Sequence, residues 1–153
     1  MRMGKRNQRV SGFTVLELMV AIGIAMVVLG IAIPSFTAWL PTLRLSSAAR
    51  QVATDLQVAR MKAISQNVKY RLNFVTATSY TFEKDADNNG VFDSPAESGP
   101  FSLPEGITVG ATGGTSEFQP RGTASAASTI TLRNGNNETK TVQVAIVGRV
   151  TLP

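Results

Sequence analysis

Four side chains in one short stretch have the types and spacing of cation ligands. In Asp85-Ala-Asp87-Asn-Asn89-Gly90-Val-Phe-Asp93, oxygen donors stand at the first, third, fifth and ninth positions, with glycine at the sixth. This is the first half of an EF-hand-type calcium loop. The twelfth position is Ala96, with Glu97 one place late, which leaves the set short for an ion that takes about six to eight oxygens. The same residues also make a polar turn between strands, in which Asp and Asn bond nearby backbone and Gly90 supplies a positive φ. The turn is the first reading. No metal is assigned and no cofactor is expected, with calcium on Asp85, Asp87, Asn89 and Asp93 as the alternative. The surrounding residues 83–105 hold six acids and one lysine.

The chain has no histidine and no cysteine. Serine–histidine and cysteine–histidine catalysis, disulfides and thiolate zinc sites are therefore excluded. No phosphate-cradling glycine loop or nucleophile–base pair stands out, so no enzyme activity is expected. The formal charge of +5 is misleading, because Arg2, Lys5, Arg6 and Arg9 lie in the first twelve residues. Without them, eleven basic residues face ten acidic ones. Nucleic acid is accordingly a minor candidate partner. It would require Arg121, Arg133, Lys140 and Arg149 to gather near the terminal hairpin, since Arg121 and Arg149 flank its two strands.

Glu17 is the remaining chemically unusual residue. Residues 18–33 read LMVAIGIAMVVLGIAI without a charge, and Glu17 lies just before them. From Phe13 the run is 21 residues long, enough to cross a bilayer that needs about 20 at about 1.5 Å each. The basic leader stays cytoplasmic by the positive-inside rule and the C-terminal part faces the other side. A cleaved signal peptide would have an uncharged core and a small-x-small cut site, whereas here Glu17 is in the core and Phe36-Thr37-Ala38 is a poor site. A plain anchor leaves Glu17 unexplained, because a charge at mid-helix depth costs roughly 2.5–3.5 kcal/mol on insertion scales. Gly23, Gly30 and Pro34 mark places where the helix can bend.

The residues Gly12-Phe13-Thr14-Val15-Leu16-Glu17 resemble the processing motif of type IV prepilins and type II secretion pseudopilins. The resemblance implies that a prepilin peptidase cuts after Gly12 and methylates the new amine of Phe13. It also implies that Glu17 pairs with that amine, within a subunit or across to the preceding one, as helices assemble into a filament. The two groups are one helical turn apart, at i and i+4.

Beyond Pro41, residues 43–66 continue in a helical pattern, with Leu45, Ala49, Val52, Leu56, Ala59 and Ala63 forming an apolar stripe. Pro41 is expected near the start of this helix. The basic residues between Arg44 and Arg71 form a solvated face or approach anionic lipid head groups. After Asn67 the pattern alternates, which predicts strands over 70–75, 79–83, 107–110, 129–133 and 141–147. Asn134-Gly135-Asn136-Asn137 predicts a tight turn joining the last two. Residues 110–116 and 122–128 are small-residue loops. Together these features predict an α+β chain, with a long N-terminal helix, half membrane and half amphipathic, packed on an antiparallel β-sheet head. The expected divisions are a leader at 1–12, a transmembrane assembly helix at 13–40 and a periplasmic part at 41–153.

The elements Phe118-Gln-Pro120-Arg121-Gly122, LQVARMKAISQN at 56–67 and Gly148-Arg149-Val150 resemble the GspH/FimT subfamily. Thr151 stands where many members have a further basic residue. The subfamily resemblance implies a minor pseudopilin of a type II secretion filament, anchored in the bacterial inner membrane with its head in the periplasm and aiding protein secretion. The alternative it implies is a minor pilin of a type IV pilus, serving pilus initiation, adhesion or DNA uptake. Expected partners are other pilin-like subunits, the prepilin peptidase and the membrane.

Overall fold

The structure, a computed structural model, describes residues 13–93, 95–110 and 115–153. The leader, including Gly12, and part of the 110–116 loop lie outside the described residues. Helix α1 (Val15–Gln66) is 52 residues long. The chain divides into one compact unit ending at Ala38 and a second, Trp39–Pro153.

In the first unit, the 19 residues Val15–Ile33 are apolar apart from Glu17 and none of them is buried, so their length and composition suit a bilayer. Its helix begins at a cap that the sequence spells out. The Thr14 side-chain oxygen accepts the backbone N–H of Glu17 at 3.2 Å, and Thr14-Val-Leu-Glu17 is the S/T-x-x-E pattern of a capping box. Glu17 thus occupies the first turn, where the helix dipole favours negative charge.

α1 runs on through Pro34 and Pro41 without a break, so the two expected halves are one element and Pro41 lies within it rather than near a helix start. A proline removes one backbone donor and is unfavourable by about 3 kcal/mol in a helix interior, yet flanking hydrogen bonds can carry the helix past it.

The second unit is built on the apolar stripe of α1. Leu45, Ala48, Ala49, Val52, Leu56, Ala59 and Ala63 are all buried, and four of the seven are alanines, which let strands approach the helix closely. Against them pack two four-stranded antiparallel sheets. The first has the order β3 (Ser98–Ser102), β2 (Ser79–Asp85), β1 (Lys69–Thr76), β5 (Ser116–Phe118). The second has the order β4 (Thr108–Val109), β6 (Ser128–Arg133), β7 (Thr139–Val144), β8 (Val150–Thr151). Tyr70, Leu72, Tyr80 and Phe118 contribute core from the first sheet, and Ile130, Leu132, Val142 and Val144 from the second. The predicted turn is present, with Asn134 N–H bonded to the Glu138 carbonyl at 3.0 Å and Asn137 at φ 63°. The last predicted strand is too long: β7 ends at Val144, and residues 145–148 turn so that Gly148 N–H meets the Ala145 carbonyl at 2.8 Å. Ile146 and Val147 look strand-like in composition but are solvent-exposed at this turn.

The motifs ending in Gly122 and beginning with Gly148 have a common packing cause. Both glycines have positive φ, 81° and 80°. A Cβ on Gly148 would lie 1.9 Å from the Gly122 carbonyl oxygen, and one on Gly122 would lie 2.6 Å from Ile64 Cδ1. Arg60 Nε, from α1, donates to the same Gly122 oxygen at 2.7 Å. Helix, 119–122 turn and 145–148 turn therefore meet at a point with no room for a side chain. Gly148→Ala should lower stability by roughly 2–4 kcal/mol, whereas Gly135→Ala, in open space, should cost under about 1 kcal/mol. Urea unfolding of the two variants checks this.

Candidate functional site

The N-terminal end presents one acid on an otherwise uncharged surface. Among the described residues up to Ala38, Glu17 is the single ionisable side chain, and Phe13, Val15, Leu16 and Leu18 around it are exposed. The arrangement offers an apolar helix surface for lipid or for other helices, with one charge that demands a partner in either setting. The cap supplied by Thr14 was not among the features expected of the sequence, although Thr14 three residues before Glu17 was its signal.

At residues 42–44 two loops of the head hold α1. Thr42 Oγ1 donates to Glu138 at 2.8 Å, and Asn134 Nδ2 donates to the same carboxylate at 2.6 Å. Those two hydrogen bonds hold the Glu138 carboxyl below its usual range. Beside them Arg44 pairs with Glu105 at 3.3 Å. Deeper in the head, the Tyr80 hydroxyl donates to Asp55 and accepts from Gln51 at 2.9 Å. Burial, followed by the neighbouring Asp55 carboxylate, pushes the Tyr80 phenol well above its usual range.

The acidic loop folds as a turn built around Asp85. This carboxylate is fully buried and accepts the N–H groups of Asn89 at 3.0 Å and Gly90 at 2.7 Å, with Lys69 Nζ at 3.5 Å. Asp93 accepts from Ala86 N–H at 3.3 Å and Asn89 Oδ1 from Val91 N–H at 2.6 Å. Gly90 has φ 93°. The oxygens of Asp85, Asn89 and Asp93 are thus turned to the loop's own backbone. Among the described residues no group of three or more acids is placed to hold a metal ion.

The four basic residues do not gather. In the β6–β7 register Leu132 faces Lys140 and Arg133 faces Thr139, so the alternation of a strand puts Lys140 on the core-facing side and Arg133 on the solvent side. Arg149 lies beside β8, at the far end of the same hairpin. The contact between Gly122 and Gly148 brings the backbones of Arg121 and Arg149 together, but their side chains line different clefts.

Burial acts against the ionised Asp85, but the Gly90 N–H, the Asp87 side chain, the Asn89 N–H and Lys69 together outweigh it and hold the carboxyl below its usual range. A lowered folded-state value means that this contribution is fully present above the ordinary Asp value of about 3.9 and is lost as pH falls through the folded value. Asp85→Asn should therefore lower stability at neutral pH by roughly 1–3 kcal/mol and flatten the acid side of the stability profile, as read from melts between neutral and acidic pH.

Comparison with known proteins agrees with the architecture. Residues 48–148 match the family model of the type II transport protein GspH, and residues 7–33 match the prokaryotic N-terminal methylation motif. The pilin-like protein PilA1 of Thermus thermophilus is 35% identical over 97 residues, covering 62% of this chain and 61% of that protein. The chain thus aligns with about three fifths of that relative's length. The type IV minor pilin FimU of Pseudomonas aeruginosa has a similar fold, with TM-score 0.55 and 18% identity over 71% of this chain and 87% of that one. So does the minor pseudopilin EpsH from the Type 2 Secretion System of Vibrio cholerae, with TM-score 0.55 and 14% identity over 72% of this chain and 96% of that one. An N-terminal methylation motif leading into an exposed apolar helix, and a head that matches one family model across nearly all its length, together make this chain a member of the GspH family of pilin-like proteins.

Proposed function

We propose that this chain is a minor pseudopilin, a structural subunit of the periplasmic filament of a type II secretion system, with no catalytic role of its own. The observation that carries the reading is the exposed apolar helix with Glu17 as its single charge, in a chain whose head matches the GspH model. In this reading the prepilin peptidase removes residues 1–12 and methylates Phe13. The helix then holds the subunit in the inner membrane, with its head in the periplasm, until it enters a filament. The new amine and Glu17 are one helical turn apart. Their pairing neutralises both charges only when helices stack in the correct stagger, so the pair sets register more than it adds stability.

The second reading, a minor pilin of a type IV pilus, is favoured by the 35% identity to a pilin-like protein and by the shared fold with FimU. Deletion of the gene separates the two. Loss of exoprotein secretion with normal pili supports the first, and loss of twitching or transformation with normal secretion supports the second.

Gly12→Val should abolish leader removal and methylation, visible as an unprocessed chain by intact mass spectrometry. Glu17→Leu should still insert and be processed, but its recovery in sheared filaments should fall about tenfold or more. Normal incorporation of Glu17→Leu would overturn the assembly role.

A further inference from the structure

An open cleft of about 440 Å³ lies in the head among the end of α1, the start of β1 and the 119–122 turn. Its wall includes Asn67, Lys69, Asn88, Gln119, Arg121 and Thr123, and no carboxylate lines it. Most of these groups are already committed. Asn88 accepts Lys69 N–H at 3.0 Å and donates to the Asn67 carbonyl at 3.3 Å. Gln119 Nε2 donates to Ser125 at 2.7 Å. Lys69 is neutralised by the buried Asp85. What remains without an intramolecular partner among the described residues is the guanidinium of Arg121, with the Asn67 amide and the Thr123 hydroxyl across the same cleft.

The backbone that carries Arg121 is rigid. Pro120 precedes it, Gly122 N–H closes the turn on the Gln119 carbonyl at 2.8 Å, and Gln119 N–H bonds the Thr123 carbonyl at 2.8 Å. Arg60 then pins the turn from beneath. The hydrogen-bonded turn presents an unpaired planar cation to a cleft that Asn67 and Thr123 also line.

We propose that this cleft binds a single carboxylate from an acidic peptide segment of another chain, with Arg121 as the bidentate donor and Asn67 and Thr123 as its neutral supports. One uncompensated cation in the wall matches a monoanion, and the fork of a guanidinium matches the plane of a carboxylate. The volume suits two or three side chains rather than an extended polyanion. The site goes beyond filament membership and does not depend on which filament the chain joins.

The test uses the full chain in neutral detergent micelles at low ionic strength and peptides carrying a neutral fluorophore. One acetylated, amidated hexapeptide has a central Glu, a second has Gln with a free C-terminus, and a third has Gln with an amidated end. Anisotropy should rise with the first and not with the second or the third, which tells a side-chain carboxylate from a chain terminus. Arg121→Gln and Arg121→Lys should each weaken binding, the former about tenfold or more, while Arg149→Gln should leave it unchanged. Thermal melts of the variants should match the parent, since Arg121 is exposed. Binding unaffected by Arg121→Gln, equal loss with Arg149→Gln, no binding by the central-Glu peptide, or inorganic phosphate binding more tightly than that peptide would overturn the proposal.

Discussion

Backbone polar groups placed in hydrocarbon must satisfy one another, so an apolar segment as long as Val15–Ile33 has to be helical to be stable there. That constraint governs much of the rest of this chain. The helix continues as one element to Gln66, and its side chains change character along it. Up to Ile33 the exposed surface is apolar apart from Glu17, whereas in the head the apolar residues withdraw to one stripe of alanine, leucine and valine. The alanines matter because each adds little bulk to the helix face buried in the core. A leucine at Ala59 or Ala63, both fully buried, would overpack the core around it.

The small sheets are tied to each other as well as to the helix. Val109 N–H reaches the Ala77 carbonyl at 2.7 Å and Leu103 N–H reaches the Thr78 carbonyl at 2.8 Å, so the β1–β2 turn is bonded to the segment that enters β4. At the other side Phe118 bridges to Ala124, and Ala124 N–H bonds the Ile146 carbonyl at 2.9 Å. These links satisfy backbone groups at strand ends that two-residue strands such as β4 and β8 could not satisfy alone. The pinned junction of Arg60, Gly122 and Gly148 belongs to the same set of ties, and it explains why glycine stands at both positions without recourse to a binding role.

Among the described residues five of the eleven cations in the head stand in ion pairs. Arg71 with Glu83, Lys62 with Glu97 and Lys69 with Asp85 account for cations that would otherwise look like a basic face. Their carboxylates are buried or half-buried, and each pair cancels the field of the cation it holds. Hydrogen bonds from Asn73 and Arg71, working against partial burial, hold Glu83 below the usual carboxylate range. With these charges cancelled, the isolated guanidinium of Arg121 becomes the distinctive electrostatic feature of its cleft.

Much of this protein was legible from contiguous residues. The processing motif, the membrane-length run, the alanine-rich stripe from Leu45 to Ala63 and the Asn134-Gly135 turn are all patterns of neighbours, and hydropathy and turn chemistry act between neighbours. The Thr14 and Glu17 cap was equally local and could have been read. Other features were settled only by the fold. Lys140 and Arg133 parted to opposite faces because a one-residue offset in register exchanges the faces of a strand. Asp85 turned inward because Lys69, from another strand, and the N–H groups of its own loop closed around it. Residues 146 and 147 left the strand because Gly148 had to meet Gly122. The sequence by itself determined an apolar run of membrane length, a match to the N-terminal methylation motif and an α+β head. Strand register, the inward turn of Asp85 and the separation of the basic residues were decided by the tertiary structure, because they depend on contacts between residues distant along the chain.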